Sequence, residues 1–234
     1  MRHWPTRCLA VLAVILLTAC AARQTTDPIV RKFSWFAYLG AEDIRRQCEP
    51  GGLDRYRLIY NGVYMEQVRV YEITPSQEAG RFDVRIEISE QPDLSNIVID
   101  GNDIDLLAPW RPQVTAISVP ADQIAVLDRA LTADGLFGPP ARGLELSSID
   151  FYWAAAACRG GEFHFTGYLW PDKGFKSLAF PQVIAAWDST EIAVNPPRKT
   201  DPLEFPPHDP DQPPNNFFQV KVGDNGLSNS LLRN

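Results

Sequence analysis

Histidine, the residue that enzymes most often use for proton transfer, occurs only three times in this 234-residue chain. His3 lies in the leader and His208 in a proline-rich stretch, so only His164 lies in the predicted folded region. The sequence contains no Gly-x-Ser-x-Gly turn, no His-Glu-x-x-His motif and no paired Cys-x-x-Cys. We therefore predict no catalytic residue, no metal and no other cofactor, and we favour a protein that is not an enzyme.

Arginines are concentrated between positions 45 and 69 of this acidic chain. Three of them, Arg55, Arg57 and Arg69, lie on strands that we predict to be neighbours. If they share one face of the sheet, their guanidinium groups could bind a carboxylate or phosphate through paired hydrogen bonds. The simpler alternative is that they form cross-strand ion pairs with glutamates. We retain the three arginines as a candidate ligand- or anion-binding site.

Glutamates offer a second route to chemistry, because they lie on or beside predicted strands at Glu66, Glu72, Glu87 and Glu145. Two carboxyl groups about 5–10 Å apart in a cleft can hydrolyse a glycosidic bond. Nothing in the spacing selects a pair, and ion pairs on solvated strand faces explain the same residues. A carboxylate-based hydrolase is therefore retained only as an alternative.

The chain begins with a leader typical of exported proteins. Arg2 and Arg7 both precede an apolar run over residues 9–17, which is too short to span a bilayer. The run ends in Leu17-Thr18-Ala19-Cys20, which resembles the lipobox of bacterial lipoproteins. The resemblance covers residues 1–20 only. It implies that residues 1–19 are a cleaved signal peptide, that Cys20 carries the lipid, and that two or three acyl chains anchor the protein in a membrane.

The residue after the predicted lipidation site is Ala21. In bacterial lipoproteins, aspartate at that position favours retention in the inner membrane. The resemblance therefore implies an outer-membrane anchor facing the periplasm, with the inner membrane as the less favoured location. Residues 20–32 would form a polar tether between the lipid and the folded domain.

The compartment that the lipobox implies also assigns the remaining cysteines. Cys8 would leave with the signal peptide and Cys20 would carry lipid, so Cys48 and Cys158 remain. Exported proteins fold in an oxidising space in which disulfides persist. We predict a Cys48–Cys158 disulfide, with two buried thiols as the alternative.

Charge excludes one class of partner. The sequence has 22 Lys and Arg against 29 Asp and Glu, and removal of residues 1–19 takes away two arginines and no acidic residue. The mature chain would then carry a net charge of −9, from 20 basic and 29 acidic residues. Nucleic-acid binding depends on neutralising phosphates with Lys and Arg, so we predict no nucleic-acid partner.

Residue patterns in the first half of the domain favour strands. An aromatic run predicts a first strand over residues 33–38, followed by a short helix over residues 41–47. Alternation predicts a strand over residues 55–60, and Asn61-Gly62 favours a hairpin turn into a returning strand over residues 63–73. Antiparallel pairing is the simplest arrangement for strands this close in sequence.

The second half adds one clear helix. Pro120–Ala133 has an apolar stripe at helical spacing and ends near Gly135. Two strands, over residues 149–158 and 162–170, would form a hairpin through Gly160-Gly161. Together these elements predict an α+β domain over residues 33–194, dominated by an antiparallel sheet or small sandwich with one packed helix. A β-barrel with an internal cavity is the alternative.

Composition changes after residue 194. Eight of the 20 residues over 195–214 are proline, which favours extended chain over a packed core. Phe217–Val222 follows as a strand that we predict to be isolated within an extended tail over residues 195–234. Such a strand could pair with the edge of this domain's own sheet or with the sheet of a protein partner.

The sequence therefore predicts a compartment and a fold class rather than a reaction. We expect a non-catalytic lipoprotein that binds or assembles with other components of the envelope. One alternative is a carrier or sensor of a lipid, glycan or anion, which would use the aromatic residues and arginines and would need an internal pocket. The other alternative is the carboxylate-based hydrolase.

Overall fold

The structure is a computed structural model that describes residues 35–90, 98–100, 103–105, 112–200 and 218–228. Side chains over residues 98–105 lie outside the description. The chain divides by its contacts into residues 1–35 and 36–234, and the account below concerns the second unit. The predicted signal peptide, the lipidation site Cys20 and the tether all lie outside the described residues.

The described residues form an α+β fold in which antiparallel β-structure predominates. The strands are Arg55–Gly62 (β1), Gln67–Pro75 (β2), Arg81–Glu90 (β3), Val98–Asp100 (β4), Asp103–Asp105 (β5), Gln113–Pro120 (β6), Glu145–Ser147 (β7), Phe151–Arg159 (β8), Glu162–Leu169 (β9), Gln219–Val222 (β10) and Leu227–Ser228 (β11). The helices are Glu42–Arg46 (α1), Ala121–Ala133 (α2), Lys173–Lys176 (α3) and Phe180–Ala185 (α4). The fold class predicted from sequence is confirmed.

Six strands form the main sheet in the order β6-β3-β2-β1-β8-β9, and every neighbouring pair is antiparallel. The sheet is open among the described strands, with β6 and β9 at its two edges. The alternative of a closed barrel is therefore wrong. A second sheet has the order β11-β10-β7, and β4 pairs with β5 in an antiparallel two-stranded sheet.

One face of the main sheet, which we call the core face, packs beneath α2 and α4. Leu58 of β1 and Ile86 of β3 lie in one apolar cluster with Leu127 of α2 and Phe180 of α4, all of them buried. The predicted helix is confirmed as Ala121–Ala133. Its apolar stripe faces the sheet because residues three and four apart lie on the same side of a helix.

The opposite face, which we call the second face, is covered at one end of the sheet by the small sheet. A Cβ added to Gly167 of β9 would lie 3.1 Å from Val222 of β10 and 3.2 Å from Leu146 of β7. Strand β8 therefore lies between two packed layers, and the alanines over residues 154–157 are all buried. Their small side chains let both layers approach the strand closely.

Two local predictions are wrong. Residues 35–39 are helical, although the aromatic run over residues 33–38 favours a strand. Strand β1 continues through Asn61 and Gly62, and the turn follows at residues 63–66. Asn61 is buried and its side-chain amide donates hydrogen bonds to the carbonyl groups of Ser148 and Asp150, so tertiary contacts override its turn preference.

The strand predicted to be isolated, which we expected to add to a sheet of this chain or of a partner, is the middle strand of the small sheet. Strand β10 pairs with β7 on one side and with β11 on the other. Phe218 is buried next to Phe36 and Tyr64, with ring centroids 5.3 Å and 5.2 Å apart. Residues 218–228 are thus part of the folded domain rather than of a tail, and both edges of β10 are occupied by this chain. Among the described residues, no helix is long and apolar enough to cross a membrane.

Candidate functional site

The three candidate arginines do not share a face of the sheet. Arg57 lies opposite Glu72 and Arg69 lies opposite Tyr60 in the β1–β2 register. Because side chains alternate along a strand, Arg55 and Arg57 point to the second face and Arg69 points to the core face. The condition for a single anion-binding site formed by all three is therefore not met.

Arg57 is buried and holds α1 on the second face. Its Nη1 and Nη2 donate to the two carboxylate oxygens of Asp43 at 2.8 and 2.7 Å, and Nε and Nη2 donate to Oε1 of Glu72 at 3.0 and 2.7 Å. Its guanidinium carbon also lies 3.7 Å from the centre of the Tyr38 ring. Burial opposes ionisation of Asp43, but the hydrogen bonds and charge of Arg57 outweigh it, so the pKa of Asp43 is lowered.

Arg55 lies two residues away on the same face and is only half-buried. Its Nη1 donates to Oε1 of Gln47, which follows α1, at 2.5 Å. Arg55 and Arg57 thus both contact the segment that contains α1. The structure assigns them to internal contacts with this segment.

Arg69 is 1% exposed and lies within the apolar layer of the core face. Its Nη1 donates to Oδ2 of Asp188 at 2.6 Å, its Nε donates to Oε1 of Gln67 at 3.0 Å, and its Nη2 donates to the carbonyl oxygen of Ile192. Tyr71 donates to the same carboxylate oxygen of Asp188 at 2.9 Å. Burial raises the pKa of Tyr71 to about 12, so its hydroxyl keeps the proton that it donates.

These contacts fix the segment over residues 188–198 across one end of the sheet. Asn195 donates its backbone amide to Gln67 at 2.9 Å, and its own carbonyl oxygen accepts from the Tyr60 hydroxyl at 2.6 Å. Further along, Arg198 forms an ion pair with Glu66 at 2.6 Å. Arg69 therefore has a structural task, because it satisfies polar groups of a long loop that crosses the core face.

The glutamates considered for hydrolysis are all ion-paired with basic side chains. The pairs are Glu66 with Arg198, Glu72 with Arg57, Glu87 with Arg85, and Glu145 with Lys221. Two of the pairs, Glu72 with Arg57 and Glu145 with Lys221, join neighbouring strands, as expected of charged residues that stabilise a sheet. The geometry thus favours the simpler interpretation of these carboxylates.

His164 packs against an aromatic ring. Its imidazole lies edge-on to the ring of Phe137, with centroids 5.1 Å apart. Burial lowers the pKa of His164, partly offset by the charge of Glu162, which lies 4.0 Å away. Among the described residues, no group of three or more His, Cys, Asp or Glu side chains is arranged to hold a metal ion.

An open cleft of about 410 Å³ lies beside the turn that connects β10 to β11. Its lining includes three cations, and each contacts an acceptor close by: Arg45 with the carbonyl oxygen of Asn225 at 2.9 Å, Arg142 with Asp224 at 3.4 Å, and Lys221 with Glu145 at 2.9 Å. An anion entering the cleft would compete with these contacts. None of the predicted arginines lines it, so it does not correspond to the internal pocket expected of a carrier.

Sequence reasoning missed the partners of both buried arginines. Asp188 is 119 residues from Arg69 along the chain and lies in a stretch without periodic pattern. Asp43 lies within the short helix predicted over residues 41–47, but nothing in its spacing indicates Arg57. The one usable signal was that an arginine among apolar strand residues needs a buried acceptor.

Comparison with protein-family models, with curated proteins and with solved structures found no match to this chain. Its function is therefore argued from its own residues.

Proposed function

We propose that this protein is a lipid-anchored component of the bacterial cell envelope that binds or assembles with other envelope components and catalyses no reaction. In this proposal Cys20 is the lipidated residue, the anchor lies in the outer membrane, and the domain faces the periplasm. The alternatives of a ligand carrier and of a carboxylate-based hydrolase stay predictions with less support.

The Cys48–Cys158 disulfide is the observation that carries the proposal. Its two Cα atoms lie 5.5 Å apart, and it joins the segment after α1 to the end of β8. Disulfides persist in exported proteins, which is the destination that Leu17-Thr18-Ala19-Cys20 implies. The bond and the lipobox are separate features of the chain, and both point to the same compartment.

The placement of the charged residues supports a role in binding rather than in catalysis. Arg57 and Arg69 are buried in contacts that hold α1 and the segment over residues 188–198, and the four glutamates are ion-paired. These side chains are therefore engaged in holding the fold together. Binding to other molecules would therefore use the surface of the domain.

Lipidation is tested by labelling cells with a palmitate analogue. Wild-type protein is expected to take up the label, and Cys20→Ser to take up none, because the thiolate of Cys20 is the acceptor of the first lipid. Cys8→Ser is the matched control, since Cys8 would be removed with the leader, and it is expected to label like wild type. Label on Cys20→Ser, or none on wild type, would contradict the anchor.

Assembly is tested by purifying the tagged full-length protein from membranes dissolved in a mild detergent. We expect a stoichiometric partner or a second copy to remain bound through washing, because an assembly subunit of standard interface size dissociates slowly. The readout is the mass of the purified particle together with its composition. A protein that is always recovered as a solitary monomer contradicts the assembly role and leaves the anchor untouched.

A further inference from the structure

Strand β6, Gln113–Pro120, is an edge of the main sheet and pairs with β3 alone among the described strands. The backbone amide of Ala121 donates to the carbonyl oxygen of Gly80 at 2.9 Å, which marks this pair as a hydrogen-bonded position of the β3–β6 register. Hydrogen-bonded pairs alternate along an antiparallel ladder. The backbone groups of Val114, Ala116 and Ser118 therefore point away from β3, towards the outside of the sheet.

The position of Pro120 is consistent with this alternation of inward and outward backbone groups. This residue lies on β6 at a position whose backbone nitrogen faces outward, which is where an edge strand tolerates proline. At the same end, Arg81 donates from Nη2 to the carbonyl oxygen of Ser118 at 2.7 Å and from Nε to its hydroxyl at 2.9 Å. One outward carbonyl group is thus occupied, and the backbone groups of Val114 and Ala116 remain directed outward.

Within the described residues, the rest of this edge shows none of the usual protection against strand addition. Edge strands are commonly blocked by charged residues, bulges or an interior proline. Residues 113–119 contain no charge and no proline, their register with β3 is unbroken, and Val114 is 46% exposed. The other edge strand, β9, is contacted by the loop before β7, since the Thr166 hydroxyl accepts a hydrogen bond from the backbone amide of Ala141 and Gly167 packs against Leu144.

We propose that the outer edge of β6 pairs with β6 of a second copy of this chain, antiparallel and centred on Ala116. In that register Ala116 faces its own symmetry mate, Val114 faces Ser118, and about four main-chain hydrogen bonds join the copies. A two-fold interface places like residues near each other, so an uncharged strand is self-complementary where a charged one repels itself. The two main sheets would become one continuous sheet. This proposal does not depend on the lipid anchor.

Cysteine substitutions in the full chain, expressed in cells, test this register. Across the two-fold axis the Cα atoms of residue 116 would be about 5.5 Å apart, within reach of a disulfide or a short bis-maleimide. Those of residue 118 would be about 14 Å apart, because each lies opposite residue 114 and so four residues along the strand from its own counterpart. We expect Ala116→Cys to give at least about tenfold more covalent dimer than Ser118→Cys, which is the matched control on the same strand.

Two further measurements check the pairing of residues 114 and 118 and the oligomeric state. Co-expression of Val114→Cys and Ser118→Cys chains with different tags should give a covalent heterodimer, because those positions face each other. Wild-type protein should sediment as a dimer and Ala116→Lys as a monomer, since two lysines would then meet at the axis. The proposal would be overturned if Ala116→Cys and Ser118→Cys cross-linked equally, or if the wild-type protein were a monomer at micromolar concentration. Either result would count against it even if the β6 edge bound a different protein.

Discussion

Replacing Asp188 by Ala is expected to lower the free energy of unfolding by about 3–5 kcal/mol. The substitution leaves the guanidinium of Arg69, which is 1% exposed, without its carboxylate in an apolar layer. It also removes the acceptor of Tyr71 and of the Thr190 amide and hydroxyl. A buried charge without a partner cannot recover its lost hydration, which is why the cost exceeds that of a surface pair. Urea unfolding followed by fluorescence measures it.

The matched control is Asp224→Ala. Asp224 is also a carboxylate paired with an arginine, but 64% of its side chain is exposed and its contact with Arg142 is 3.4 Å. Exposed pairs contribute about 0–1 kcal/mol. A loss for Asp188→Ala no larger than for Asp224→Ala would show that the Arg69 cluster does not hold the segment over residues 188–198.

Acid should weaken the same cluster. Burial opposes ionisation of Asp188, but hydrogen bonds from Thr190 and Tyr71 and the charge of Arg69 outweigh it, so the pKa of Asp188 is lowered. Its ionised form therefore stabilises the fold above the unfolded pKa of about 3.9, and this contribution is lost as the pH falls through the lower folded value. The difference in stability between wild type and Asp188→Asn is expected to be constant near neutral pH and to shrink below about pH 4.

The elements that sequence predicted well are those whose pattern is local. The helix Ala121–Ala133 has its stripe, its proline start and its glycine stop within one continuous segment. Along β3, Val84, Ile86 and Ile88 alternate with charged residues, and this pattern likewise needs only the strand itself. Such patterns depend on one buried face and can be read without knowing what covers it.

The predictions that were wrong concern features that depend on contacts between segments distant in sequence. Strand β10 was predicted to be isolated because its partner β7 lies more than 70 residues earlier, in a three-residue strand with no pattern of its own. Arg69 was grouped with Arg57 because both are arginines on neighbouring strands. A one-residue difference in phase places them on opposite faces, and only the register of β1 with β2 reveals it.

Cys48 and Cys158 were paired because the other two cysteines were already assigned, not because of a sequence pattern. Removing their disulfide is expected to have a large effect on stability. Replacing both Cys48 and Cys158 by Ala is expected to lower the free energy of unfolding by about 2–5 kcal/mol. The disulfide joins residues 110 apart, so its removal frees a long loop of the unfolded chain and raises the entropy of that state. Urea unfolding of the double variant, compared with wild type under oxidising and reducing conditions, measures the effect.

Reduced wild type and the double variant should agree, because both lack the same constraint on the unfolded chain. A loss below about 1 kcal/mol in both would contradict the prediction. Other contacts still hold the joined segments, since Arg57 binds Asp43 and the backbone amide of Gly160 donates to Asp54 at 2.8 Å. The reduced domain is therefore expected to keep these contacts but to have a lower free energy of unfolding. Since most of β1–β8 lies inside the closed loop, the domain reaches full stability only where the bond can form.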